Sequence, residues 1–286
     1  MPDEYQSLRY ARWNDRFNTE KPYVIVSVLP GIDASQQSNI EFYEAPPEII
    51  YDVRGRENDF NLDDNGFAFV NHSFPDFDVT NPDLVESLYQ PEVEKFLKSH
   101  VDGVDRVLFF DHRVRLNVEH IQGTLVNVRD LSVALPPAKG VHIDQSEAGA
   151  LRRVRLRMGE DTEYLLRGRT RILNIWRPYD YAIEDCPLAL CDGSTINEND
   201  LLVADHITRT YTGETVYPLY NPAAKWYYLS QQKKDEVLIL KIFDSDPTVQ
   251  ARTTPHTSFE HSKTTDTRRP RKSVEIRALV FTYPES

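Results

Sequence analysis

Most of the chain is written in short β-branched and aromatic runs punctuated by turn residues. Residues 23–29 (YVIVSVL) stop at the turn pair Pro30-Gly31. Two further runs, 40–43 and 49–53, flank Pro46-Pro47, and 67–70 follow an acidic loop over 59–65. One stretch has a different period. Between Asn81-Pro82 and His100, the apolar residues Leu84, Val85, Leu88, Tyr89, Val93, Phe96 and Leu97 recur at three and four. That spacing predicts an amphipathic packing helix, capped by Thr80 or Asn81 and broken or bent at Pro91. From about residue 100 onward strands and turns alternate again, with the clearest runs at 104–115, 170–178, 237–243 and 273–281. Residues 148–158 read as a basic helix, and 117–140 as loop with Pro136-Pro137 stiffening its end.

The pattern predicts one mainly β domain over 1–286, a sandwich or barrel with flanking helices. Its N-terminal strands and packing helix occupy 1–100 and its core 101–286. Length permits a sizeable core.

Charge narrows the partners. A net charge of −12 with 27% charged residues argues against nucleic acid, which wants a dominant basic face. The short basic cluster Arg268, Arg269, Arg271 and Lys272 is expected to be a solvated loop. Cys186 and Cys191 are too few for a disulfide framework or a four-ligand zinc site, and reduced thiols are expected. No apolar run approaches the roughly 18 residues needed to cross a bilayer, so a cytoplasmic protein with no membrane partner is the expectation.

Candidate chemistry begins at residues 141–146 (VHIDQS). On an extended segment His142 and Asp144 project to one side, giving two thirds of the 2-His-1-carboxylate triad that holds non-haem Fe(II). His256 supplies a second imidazole far downstream, after the strong run 237–243 and behind the restricting Pro255. By contrast, His112 sits next to Asp111, so both cannot share a strand face, and it reads as an ordinary strand histidine. Arg277 shares a strand face with Glu275, Leu279 and Phe281 and needs an anionic partner. The far carboxylate of 2-oxoglutarate and an internal ion pair are both open for it. Alternation in 170–178 puts Asn174 and Trp176 on one face, toward a ligand or into the core.

Several stretches together resemble a known family. They are His142-Ile143-Asp144-Gln145-Ser146, the run from Arg171 to Pro178, Pro187 to Asp192, Lys225 to Ser230, Pro255-His256-Thr257-Ser258-Phe259, and the run from Ser273 to Phe281. In order and spacing they resemble fungal and bacterial natural-product oxygenases, the hydroxylase/desaturase group that includes gibberellin-desaturase-like and cephalosporin 7α-methoxylase-related proteins. The resemblance covers roughly residues 100–283. It implies a double-stranded β-helix (jelly-roll or cupin-like), with Fe(II), 2-oxoglutarate and dioxygen used to oxidise C–H bonds of a small-molecule natural product. It carries the iron ligands over to His142, Asp144 and His256, and the 2-oxoglutarate arginine to Arg277, with Arg252 as the fallback. Asn174, Trp176 and Arg177 become candidates for lining the site, and Tyr227 for an aromatic wall. A homodimer is left open. Two rivals stand beside this reading: a cupin-type metal enzyme that does not use 2-oxoglutarate, and a non-catalytic jelly-roll binding protein.

Overall fold

The longest apolar runs become the middle of the largest sheet, because strands apolar on both faces must be covered on both. The computed structural model describes residues 3–26, 33, 36–117, 131, 133–209, 211–262 and 268–285. Its strands in chain order are β1 (Glu4–Gln6), β2 (Arg9–Ala11), β3 (Tyr23–Ile25), β4 (Phe42–Glu44), β5 (Glu48–Asp52), β6 (Phe67–Asn71), β7 (Arg106–Leu116) and β8 (Arg169–Pro178), followed by β9 (Leu188–Cys191), β10 (Leu201–Ile207), β11 (Thr212–Pro218), β12 (Trp226–Tyr228), β13 (Glu236–Asp244), β14 (His256–Ser258) and β15 (Lys272–Thr282). The α-helices are α1 (Pro82–Leu84), α2 (Gln90–His100), α3 (Glu147–Met158) and α4 (Thr162–Leu165). The molecule is mainly β, as the alternation predicts. Residues 27–29 of the first predicted run, and 118–130 and 132 of the predicted loop, lie outside the described residues.

The largest sheet has the order β6-β13-β8-β15-β7, and a second runs β1-β5-β12-β9-β14. A three-stranded sheet β11-β10-β3 and the pair β2-β4 complete the set. Strands from the first hundred residues pair with late ones: β6 with β13, and β5 with β12.

Alternation divides the large sheet into two faces. On the outer face, Leu173, Ile175, Val237, Ile239, Val274, Ile276 and Val280 form one apolar cluster with Val85, Tyr89, Val93, Phe96 and Leu97 of the helical segment. Each fully buried side chain of this kind stabilises by about 1.5–3 kcal/mol. On the inner face Ile172, Trp176, Leu238, Leu240, Leu279 and Phe281 join a separate cluster facing the second sheet. The predicted helix is therefore real, and Asn81 caps it by accepting from the backbone N–H of Asp83 and Leu84. Its bend is a wide π turn over Val85–Tyr89 that ends just before Pro91. Proline has no N–H to donate and its ring crowds the carbonyl four residues back, so the turn opens ahead of it.

Both cysteines are free and buried, as expected of reduced thiols. Burial, then Asp185, pushes the Cys186 thiol up to about 11, and burial pushes Cys191 higher. Neither is expected to react with a thiol-specific disulfide reagent at pH 8 until the chain is unfolded, since the thiolate is the reactive form. Rapid labelling of the native protein would contradict this packing.

Candidate functional site

Residues 141–144 run extended between two sheets and are stitched to both. His142 exchanges two backbone hydrogen bonds with His256 at the start of β14, at 3.1 and 2.9 Å. Ile143 exchanges two with Val216 of β11, at 2.8 and 3.0 Å. Residues directly opposite in an antiparallel pair carry their side chains on the same side. The two imidazoles accordingly meet, with ring centroids 4.4 Å apart. Asp144, two residues on, turns the same way. One ligand atom from each of His142, Asp144 and His256 can be chosen so that all lie within 4.8 Å of one another.

Backbone carbonyls set the orientation of both rings. Nδ1 of His142 lies 2.7 Å from the Gly140 carbonyl, and Nδ1 of His256 lies 3.1 Å from that of Thr254. A carbonyl can only accept, so Nδ1 carries the proton in each ring and Nε2 keeps its lone pair for a metal. Thr254 is itself packed against Gly66, where a Cβ would fall 2.2 Å from its Oγ1; with φ at 86° the position suits glycine on both counts. Burial, then His142, pushes His256 down to about 4, so the ring is neutral near pH 7.

Asp144 has the opposite character. Burial raises its pKa, but the Arg277 guanidinium together with His142 and His256 outweighs burial and holds the carboxyl well below the usual range. Asn174 Nδ2 donates to Asp144 Oδ2 at 2.7 Å, and Arg277 lies 3.2 Å from the same oxygen. Two imidazoles and one ionised carboxylate on one side of a pocket are a donor set suited to Fe(II).

The remaining expected residues fall into three places. Asn174 of β8 stands opposite Arg277 of β15, and Asp111 of β7 faces Arg277 from the other side. The Arg277 guanidinium reaches three carboxylates: Glu275 at 2.7 Å, Asp111 at 3.2 Å and Asp144. The internal ion pair left open from the sequence is thus present around it. Trp176 shares the inner face, and its Nε1, like Asn174 Oδ1, is buried with no hydrogen-bond partner among the described residues. Arg177 is on the outer face, where its Nε donates to the Tyr89 hydroxyl at 3.1 Å beside Phe74. Tyr227 packs its ring against Phe60, Phe67 and Tyr51. Arg252 is half-exposed, bonded to the Asp244 carbonyl and to Glu147 at 3.2 Å. His112 is buried on β7 opposite Ile276, an ordinary strand histidine as its neighbour Asp111 suggested.

Arg271 corrects an expectation. Instead of lying in a solvated loop it is only 1% exposed, immediately ahead of β15. Its guanidinium sits 5.2 Å over the Trp176 ring and donates to Ser258 Oγ at 2.6 Å, to the Cys186 carbonyl at 2.9 Å and to Ser273 Oγ at 3.0 Å. Burial, then Arg115 nearby, pushes it down to about 10. The signal was present in the sequence. Counting back in twos from Arg277 through Glu275 and Ser273 lands on Arg271, but the run of four basic residues reads as surface.

Residues 8–281 match the family model described as an oxidoreductase/YMDC permease-like domain. The chain is 30% identical over 282 residues to the Fe(II)/2-oxoglutarate-dependent dioxygenase nvfI of Aspergillus novofumigatus, covering 93% of each protein. It is 33% identical to the hydroxylase/desaturase efuI of Hormonema carpetanum, covering 84% of each. Among solved structures, the iron and alpha-ketoglutarate-dependent endoperoxidase NvfI superposes with a TM-score of 0.85 at 27% identity, over 99% of both chains.

Proposed function

The chain belongs to the Fe(II)/2-oxoglutarate-dependent dioxygenases, and from that premise we propose that it oxidises a C–H bond of a small secondary metabolite at His142, Asp144 and His256. Its cofactor is Fe(II), with 2-oxoglutarate and dioxygen as co-substrates. The observation that carries the assignment is the cross-strand pairing of the two histidines with Asp144 turned to the same side. We read the curled sheets around that pairing as a double-stranded β-helix, and the pairing of early strands with late ones supports a single domain.

When bound, the iron and its co-substrates supply the oxidising power that breaks the C–H bond, as the oxo acid is converted to succinate and carbon dioxide. The protein's own residues orient and insulate. His142 and His256 present Nε2 because Gly140 and Thr254 hold their Nδ1 protons. Asn174 and Arg277 fix the Asp144 carboxylate, and Arg277 helps to keep it ionised. Asn174→Ala is expected to weaken Fe(II) binding by about 10–100-fold, the usual cost of removing a residue that orients a ligand. Equilibrium titration with Fe(II) under argon measures it, and an unchanged affinity would remove Asn174 from that role.

Arg277 and Arg271 are the two arginines we weigh for 2-oxoglutarate. Arg277 stands beside Asp144, at the metal end, with its fork already engaged by three carboxylates. A second reading is favoured by one observation: Arg271 is fully buried, bonded only to neutral groups, with no carboxylate within ion-pair distance among the described residues. A buried guanidinium without a counter-ion is costly, and the far carboxylate of the oxo acid would relieve it. Arg252, the fallback, has Glu147 as its partner.

Anaerobic addition of Fe(II) and 2-oxoglutarate is expected to give a weak visible charge-transfer band, and air then to release succinate. No band at saturating ligand would refute the assignment and leave the binding-protein rival. A band with no succinate formed under any substrate screen would favour a metal enzyme of another kind. Arg271→Ala and Arg277→Ala compared in the same titration assign the oxo-acid contact to whichever raises the concentration of 2-oxoglutarate needed.

A further inference from the structure

A cavity of about 980 Å³ opens beside His142, Asp144 and Arg277, and its walls carry charge out of character with the chain. The protein as a whole is at −12, yet seven lysine or arginine residues line this cavity against three carboxylates. Each of those carboxylates is engaged. Asp144 is held by Arg277, Asp111 is shared between Arg113 and Arg277, and Glu214 is bound by Lys21 and the Ser146 hydroxyl. Lys139 is satisfied by Glu260 at 2.6 Å. That leaves Arg9, Arg115, Arg153 and Arg157 with no carboxylate within ion-pair distance among the described residues.

Two of these lie one turn apart on α3, the helix that follows the His-Ile-Asp segment directly. Arg153 is half-buried; its Nε donates to Gln145 Oε1 at 3.0 Å, and its guanidinium rests 4.2 Å over the Phe110 ring. Gln145 is neutral, so the positive charge remains uncompensated. Arg157 is exposed at the same wall. Burial pushes the Arg153 pKa down, with Arg277 and Arg157 pushing the same way and Tyr211 and Asp111 opposing. Apolar surface from Phe110, Leu156 and Tyr211 completes this side.

Resting on the functional reading above, we propose that the substrate oxidised here is a carboxylic acid whose carboxylate is bound by Arg153 and Arg157 and whose apolar body lies along Phe110. The co-substrate does not account for these cations. Its near end belongs at the metal with Arg277, and Arg271 offers an anion contact away from the cavity wall. A guanidinium fork stacked on an aromatic ring and held by one neutral hydrogen bond is oriented for a planar carboxylate. The cluster also draws anions in despite the chain's negative charge, because a local cationic wall focuses the field inside a cavity.

The test uses a matched pair of probes, 2-naphthoate and the isosteric neutral 2-naphthamide. Both are titrated under argon into the Fe(II)-loaded enzyme with saturating 2-oxoglutarate. Wild type is expected to bind the acid about 10-fold more tightly than the amide, the usual scale of one charge-assisted pair. In the double variant R153Q/R157Q the preference is expected to fall within about 2-fold while the 2-oxoglutarate titration stays unchanged. No preference in wild type, including no binding of either probe, overturns the proposal, as does a preference that survives in the variant. If the variant loses 2-oxoglutarate affinity in step with naphthoate, the arginines serve the co-substrate and the proposal falls while the oxygenase reading stands. Absence of the 2-oxoglutarate band in wild type is the separate failure of that reading. The wild-type comparison requires no variant to fold.

Discussion

His256→Ala is expected to abolish the Fe(II)·2-oxoglutarate band and to lower metal affinity by more than the roughly 10–100-fold typical of an outer residue. His256 is buried, neutral and paired backbone to backbone with His142, so the fold itself holds its Nε2 beside the other two ligand atoms. The expected fold cost is small by comparison. Ala at this first position of β14 keeps both backbone hydrogen bonds to His142. A variant with native circular dichroism, no band and no succinate is the expected outcome. Retention of the band in this variant would sink the ligand assignment.

Arg277→Ala is expected to act on stability as strongly as on activity. Asp144, Asp111 and Glu275 converge on this guanidinium with side chains only 8%, 15% and 5% exposed. Their charges raise the Arg277 pKa far above its ordinary value against the opposing effect of burial. Removing the cation leaves three carboxylates together in a poorly solvated place. Breaking a buried charge pair costs about 3–5 kcal/mol, which in a chain of this size corresponds to a Tm lowered by about 5–8 °C. Arg277→Lys restores the charge without the fork, so it should recover part of the stability and less of the metal affinity. Thermal melts of the two variants in chelator measure the structural effect free of iron. An Arg277→Ala protein as stable as wild type would overturn the structural role given to this guanidinium.

Much of the site was legible because β-structure has a period of two. His142 and Asp144 could be placed on one side, Asn174 with Trp176 on another strand face, and Arg277 with Glu275, from alternation alone. Those faces are the observed ones. The helical stretch was equally plain, since its period of three to four cannot be mistaken for a strand; only the wide turn before Pro91 needed coordinates. What alternation does not carry is pairing. Nothing within residues 255–259 states that His256 lies across from His142, or that Asp111 completes the ring of acids around Arg277, because those contacts join segments far apart in the chain. Arg177 shows the limit from another side. It adjoins Trp176 in sequence and therefore points away from it, into the aromatic packing of Tyr89 and Phe74. Arg271 was hidden by its neighbours, since a basic run usually means solvent.

The direct pairing of His142 with His256 has a consequence for how the protein holds together. A metal bound by both is a cross-link between segments joined by a loop of roughly a hundred residues, the size at which a covalent staple would be worth about 4–5 kcal/mol in chain entropy. β14 is three residues long and ends the order of its sheet, paired with β9 on one side and with His142 on the other. Iron therefore fastens this short pairing from the side-chain side, and chelation should loosen residues 141–144 and 256–258 to hydrogen exchange before it affects the central strands.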